Sequence, residues 1–334
     1  MKNYLLISLI SLNLITSLSL AQEVQLYTSR SFQSLEPIIT AYHKKTGVNI
    51  KVTTEKYADL LANLQSDNNI ADIALVVDAG NLAQIAQLGL FQAYDSKALT
   101  QNIPSALRDP ANLWFGLSIR ARTIFYNPKT VKPEELSSYA ALADISWKGK
   151  LCLRSPKSIY NKSLIATHIA DIGEEHTQTM LKGWVANLAD TPEKGIFPND
   201  TALLEAIATG QCDIGITNHY YYNRILEKNP DFPVKLFWAN QATNGTHVNV
   251  LGAGILKNAK NVDAARLFLD WLSSNTGQEI LAKSSFEYSI NPAIAANPKV
   301  SILGEFKQNS LNLSNAWIYQ DKAIEIMNNA GYKD

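Results

Sequence analysis

The sequence has no excess of either charge: 30 Lys and Arg stand against 30 Asp and Glu in 334 residues. Its basic residues form no run longer than a pair such as Lys44-Lys45, so it lacks the electrostatic footprint of a nucleic-acid binder. Cysteine is scarce. Cys152 and Cys212 are the only two, with no CxxC spacing, which argues against a thiolate metal site or a dithiol redox motif. Beyond the first 21 residues no apolar run reaches the ~18 residues of a membrane span; stretches such as 248–256 stop short. Catalytic signatures are missing too: there is no GxSxG, HExxH, GxxxxGK[ST] or GxGxxG. The histidines, at 43, 168, 176, 219 and 247, show no metal-ligand spacing and read as surface or packing residues. No carboxylate pair stands out as an acid/base dyad. These absences favour a binding protein over an enzyme.

What is present is enough apolar residue, 46%, to bury a sizeable core, on a chain long enough for two lobes. The first 21 residues read as an export signal: Lys2, an apolar stretch over 4–20, and small residues at Ser19-Leu20-Ala21, with cleavage expected after Ala21. An exported, soluble protein without stable membrane insertion follows. In that compartment two cysteines fit a Cys152–Cys212 disulfide, the competing reading being two buried, unpaired thiols on neighbouring strands.

Short β-rich runs then alternate with amphipathic helical patterns, the signature of α/β layers around parallel sheets. Strands are expected at 24–27, 48–52 and 73–77. Helices are expected from Ser34 as cap to a stop at Gly47, over 57–65, and over 81–88 before Gly89. A second set comprises strands near 124–126, 151–153 and 213–217, with helices over 163–172 and 203–209. A strand over 250–256 and a helix over 262–272 capped by Asn261 complete the pattern. In two-lobed α/β proteins, ligands sit in the interlobe cleft at the carboxyl ends of strands.

The unusual segment is Asn218-His219-Tyr220-Tyr221-Tyr222-Asn223-Arg224, directly after an expected strand. At a helix N-terminus the partial positive charge favours phenolate, and an irregular first turn lets Tyr220 and Tyr221 converge while Tyr222 turns to the core. Phenol ionises near pH 10, so only a strong Lewis acid displaces its proton at neutral pH. Ferric ion qualifies; Mg²⁺ and Ca²⁺ prefer carboxylates, carbonyls and water.

From Glu23 onward the sequence resembles the bacterial periplasmic ferric-iron-binding proteins, the substrate-binding components of iron(III) ABC importers. The resemblance is carried by Tyr27-Thr-Ser-Arg30, Gly116-Leu-Ser-Ile-Arg-Ala-Arg122 with Tyr126-Asn127, Trp147-Lys-Gly-Lys150, Arg154-Ser155 leading to Ile159-Tyr160-Asn161, and Asn218-x-Tyr220-Tyr221. It implies the two-lobed periplasmic binding protein fold (type II), each lobe a sheet flanked by helices. The expected division is 22–118 with 250–300 for the N-terminal lobe and 119–249 with 301–334 for the other.

The resemblance also implies Fe³⁺ ligation by Tyr220, Tyr221 and, as in one subgroup, Tyr160. Partners would be the permease and ATPase of an importer, served by a monomer in the periplasm. One departure stands out: many members place a His-Tyr pair or a single His after the first strand, where this chain has Ser31-Phe32. The first lobe then contributes no strong metal ligand. Three phenolates leave part of the iron shell to a small anion such as carbonate or to waters. Arg120 and Arg122 match family arginines that would face that anion, and Thr28, Ser29 and Arg30 are further donors. Binding of another solute on the same fold, an oxyanion, phosphonate, thiamine or polyamine, is the alternative.

Overall fold

The computed structural model describes residues 23–334. The expected leader and its cleavage site lie outside the described residues. The strands are β1 (Glu23–Thr28), β2 (Asn49–Thr54), β3 (Ile73–Val77), β4 (Phe91–Gln92), β5 (Phe115–Tyr126), β6 (Leu151–Arg154), β7 (Ile196–Phe197), β8 (Ile214–Asn218), β9 (Lys235–Phe237), β10 (Val248–Leu256) and β11 (Tyr288–Ser289). The helices are α1 (Phe32–Thr46), α2 (Tyr57–Leu64), α3 (Ala79–Gln87), α4 (Lys97–Asn102), α5 (Ile159–Ile172), α6 (Glu174–Ala186), α7 (Asp200–Ala208), α8 (His219–Lys228), α9 (Val262–Ser273), α10 (Asn275–Ser284), α11 (Pro298–Ser301), α12 (Leu313–Trp317) and α13 (Gln320–Asn329).

The sheet order β2-β1-β3-β10-β5-β8-β6-β7 explains how one chain makes two lobes. β1 pairs parallel with β2 and β3, and β8 pairs parallel with β6, as βαβ crossovers require. Between these halves run two long antiparallel strands. β5 pairs with β10 over Phe115–Ala121 and with β8 over Arg122–Tyr126, so it passes from one half to the other. All twelve of its residues are buried, as befits a strand covered on both faces.

Side-chain alternation on the strands distributes the core. Phe115, Leu117, Ile119 and Ala121 of β5 and Val248, Val250, Ala253 and Ile255 of β10 join Val24, Leu26, Ile73 and Phe268 in a first buried cluster. Past residue 121, Ile124 and Tyr126 of β5 point to a second cluster with Leu151, Leu164 and Trp184. Phe125, on the opposite face, meets Cys152, Leu203 and Tyr222 in a third. A period of two thus sends neighbouring residues of one strand into two helix layers.

Local departures from the sequence reading have local causes. α1 starts at Phe32, with Ser31 at the cap position; Ser34 lies inside the first turn, its hydroxyl donating to Ser31 O at 2.7 Å. The expected stop holds: Gly47 takes φ 75°, open to a residue without Cβ, and returns its N–H to His43 O at 2.8 Å. α3 starts two residues early because the Asp78 carboxylate accepts from Gly80 N and caps it. α5 extends back to Ile159, which brings Tyr160 into its first turn. Asn261 occupies its cap position, but its amide donates to Asp72 Oδ2 at 3.0 Å instead of capping.

Cys152 and Cys212 are joined, tying β6 to the turn before β8 across a sequence separation of 60. This removes the alternative of two unpaired thiols.

Candidate metal centre

The centre is assembled where two adjacent parallel strands, β6 and β8, each run into a helix. β8 ends at Asn218, and α8 begins at His219 with no side-chain cap, leaving its first amides open. Tyr220 and Tyr221 occupy that first turn. Their ring centroids are 4.4 Å apart at an interplanar angle of 32°, so the neighbouring rings lie side by side. Tyr160 approaches from the first turn of α5, its hydroxyl accepting from Tyr220 Oη at 3.3 Å. Tyr222 turns the other way, buried among Phe125 and Phe232, and donates to Val234 O at 2.8 Å.

Three guanidinium groups surround the three phenols. Arg154 lies 5.0 Å from the centre of the Tyr160 ring, and Arg224 lies 5.0 Å from Tyr220 and 5.7 Å from Tyr221. Arg120 stands 5.7 Å from the Tyr220 ring. Burial pushes the Tyr220 phenol well above its ordinary pKa, the nearby Tyr160 and Tyr221 oxygens push further, and Arg120 offsets part of it. Tyr160 is raised by burial as well, against the pull of Arg120. Tyr160 and Tyr220 are therefore neutral phenols at neutral pH. A cation has to displace their protons, which suits a trivalent, hard Lewis acid and disfavours weaker ones.

On the first-lobe side the residues after β1 meet a carboxylate that spacing gave no reason to single out. Glu287, 3% exposed, accepts from Arg30 Nη1 at 2.7 Å and lies 3.8 Å from Arg120 Nε. The Ser118 hydroxyl donates to its other oxygen. Burial works to raise the Glu287 pKa, but Arg30 and Arg120, with Ser118, bring it down to about 2. Arg120, 2% exposed, keeps its own pKa above the ordinary value because Glu287 and the Tyr160 and Tyr220 oxygens outweigh the opposing effect of burial. Its Nε and Nη2 have no hydrogen-bond partner, and neither has the buried Ser29 Oγ. Thr28 is fully buried and already accepts from Arg30 N at 3.1 Å.

Arg122 has a different environment. Nη1 donates to Asp200 Oδ1 at 2.7 Å, Nε to Asn161 Oδ1 at 3.1 Å and Nη2 to Ile216 O at 3.0 Å. Asp200 also pairs with Arg154. Each guanidinium nitrogen of Arg122 is thus engaged inside the second lobe, where it braces the bases of α5 and α7, and the structure does not bring it together with Arg120. Ser31 stands at the cap position of α1 without a side-chain capping bond and Phe32 is 44% exposed; neither an aliphatic hydroxyl nor a phenyl ring is a good ferric ligand. Among the described residues no group of three or more His, Cys, Asp or Glu could hold a metal ion, which leaves the phenols as the candidate donors.

Fold and site together define a two-lobed solute-binding protein. Residues 28–279 match the model of the bacterial extracellular solute-binding proteins, and the chain belongs to that family, in its periplasmic ferric-iron-binding branch. It is similar to iron uptake protein A1 of Synechocystis, 38% identical over 320 residues that cover 93% of this chain and 88% of that one. A Trichodesmium protein (FutA, IdiA), solved in complex with iron and citrate, superposes with a TM-score of 0.88 at 37% identity, covering 93% of this chain and all of the other. Ferric iron-binding protein A of Mannheimia haemolytica, in an open conformation, gives 0.87 at 31% identity over 94% of this chain and all of its own. The family is one of solute-binding proteins, not enzymes.

Proposed function

We propose that this protein captures ferric iron in the periplasm through the phenolates of Tyr160, Tyr220 and Tyr221 and delivers it, as a monomer, to the permease and ATPase of an ABC importer. The observation that carries the reading is the meeting of three phenols from two helix N-termini, ringed by arginines, in a place without His or carboxylate clusters. The relatives named for iron add support, as does the iron in the Trichodesmium complex. Export by the leader with cleavage after Ala21, and lobes spanning 22–118 with 250–300 and 119–249 with 301–334, belong to the same reading.

Three phenolates balance the charge of Fe³⁺ but leave coordination positions open. A small anion such as carbonate would fill them, held by the free Nε and Nη2 of Arg120 and the Ser29 hydroxyl, with Thr28 and Arg30 lining the same loop. Arg122 would act from behind by bracing Asn161, next to Tyr160. The citrate of the Trichodesmium complex is a second anion worth supplying. The test is ferric titration of the purified protein with and without bicarbonate. One iron per chain is expected, with Arg120→Ala weakening uptake much more in bicarbonate than in anion-free buffer. Failure to retain iron under any anion would reject the function; equal losses in both buffers would reject the anion role of Arg120.

A further inference from the structure

We propose that Asp78, Ser163 and Gln320 form a strap between the lobes that fixes where Tyr160 stands, making Asp78 and Ser163 positioning residues of the metal centre. The inference rests on the phenolate site proposed above. Ser163 lies three residues beyond Tyr160 in α5, on the same face of the helix, so whatever holds Ser163 also holds the phenol. Its hydroxyl donates to Asp78 Oδ1 at 2.6 Å and accepts from Gln320 Nε2 at 2.9 Å. Asp78, Ser163 and Gln320 are 1%, 3% and 5% exposed.

The strap crosses between the cores. Asp78 follows β3 and precedes Ala79 of the first cluster, α5 contributes Leu164 and Ile165 to the second, and Gln320 opens α13, which contributes Ala323 to the second. Asp78 takes φ 78° and ψ 127°, a backbone that a residue with a Cβ adopts only when its surroundings impose it. Those surroundings are on β10: Asp78 N donates to Val250 O at 2.9 Å, and Ala79 N to Asn249 Oδ1 at 2.8 Å. The same β10 residues pair with Ile119 and Arg120 of β5. The strap therefore connects the strands that pass between the lobes to the helix bearing a proposed iron ligand.

The seam has no spare room. A Cβ on Gly80 would lie 3.0 Å from Gln320 Nε2 and 3.3 Å from Trp317. A role confined to packing would leave the carboxylate fully hydrogen-bonded, yet Asp78 Oδ2 is buried without a partner. Burial raises the Asp78 pKa against the pull of Ser163, Gly80 and Arg120, and its ionised form acts on Arg120 and on the Tyr160 phenol. With Ser31 and Phe32 in place of first-lobe metal ligands, this contact lets the first lobe influence the metal shell without touching the metal.

Ser163→Ala tests the strap in the full, iron-loaded chain. Loss of the buried hydrogen bond to Asp78 should speed iron release about tenfold and shift the phenolate-to-iron absorption band. The acceleration should vanish in a Tyr160→Phe background, persist in Tyr221→Phe, and be absent from Ser163→Thr, which keeps the hydroxyl. Should Ser163→Ala not accumulate folded, Gln320→Ala removes the supporting donor and should give a smaller change of the same kind. A lowered thermal midpoint with unchanged release and spectrum, or equal acceleration with and without the Tyr160 hydroxyl, would overturn the strap while leaving the phenolate site intact. A parent protein that takes up ferric ion without a phenolate band would overturn both.

Discussion

At the scale of single residues, the chemistry of this protein depends on which buried groups are neutral and which are charged. Glu287 carries charge because two arginines flank it, whereas burial keeps the Tyr220 and Tyr160 phenols neutral. His168 and His247 are buried bases without such help: burial takes His168 down to about 4, and burial with the neighbouring His168 and Arg122 takes His247 to about 3. His168 Nε2 and His247 Nδ1 have no partner. The folded values lie below the ordinary 6.5, so the unfolded chain binds these protons more readily. Their contribution is therefore intact above pH 6.5 and is lost as pH falls toward 4 and then 3, by about 3 kcal/mol for His168. Urea denaturation of the iron-free protein at pH 7 and pH 4.5 should show that loss, and His168→Gln should reduce it; the same pH dependence in both proteins would contradict the assignment. Tyr220 and Tyr221 were legible because they are adjacent and follow a strand pattern, whereas Tyr160 was singled out only through the family resemblance. Glu287 was not, since it meets Arg30 across 257 residues of sequence, and no local spacing encodes such a contact.

At the scale of elements, hydrophobic period and turn chemistry carried most of the information. Gly47 stopped α1 where expected, and the buried run 73–77 is β3. The starts of helices were harder, because a cap is a side-chain geometry: Ser34 has the right chemistry but its hydroxyl donates, and Asp78 caps α3 from a backbone shape that sequence does not announce. The one covalent cross-link was legible from compartment and count. Joining residues separated by 60 in sequence, it should stabilise the protein by about 4 kcal/mol in the chain-entropy model. Replacing both cysteines with serine should lower the denaturation midpoint accordingly. The helices α5 and α8 should also hold the phenols less firmly, since β6, which leads into α5, is tied by Cys152 to the turn ahead of β8. An unchanged midpoint would show that the third cluster is sustained by packing alone.

At the scale of the whole molecule, the long strand β5, paired with β10 in one half and with β8 in the other, gives the chain its form, and all three proposed iron ligands stand on one side of that passage. In the proposed reading the first lobe presents Arg30, Glu287 and the Asp78 end of the strap, and Arg120 stands beside them on β5, where that strand passes between the lobes; these are groups for an anion and for alignment rather than for metal bonding. Closure in such a design has to come from contacts that differ between open and closed states. In the proposed reading those are the anion and the arginines, not a metal bond from the first lobe. The measurement that tests this most directly is the visible spectrum of the ferric-loaded protein alongside its Tyr160→Phe, Tyr220→Phe and Tyr221→Phe variants. Each substitution keeps the ring and removes one anionic oxygen, so the charge-transfer band should weaken or shift in every single variant and disappear in the triple one. A colourless iron-loaded protein, or a triple variant that keeps both band and iron, would contradict the account.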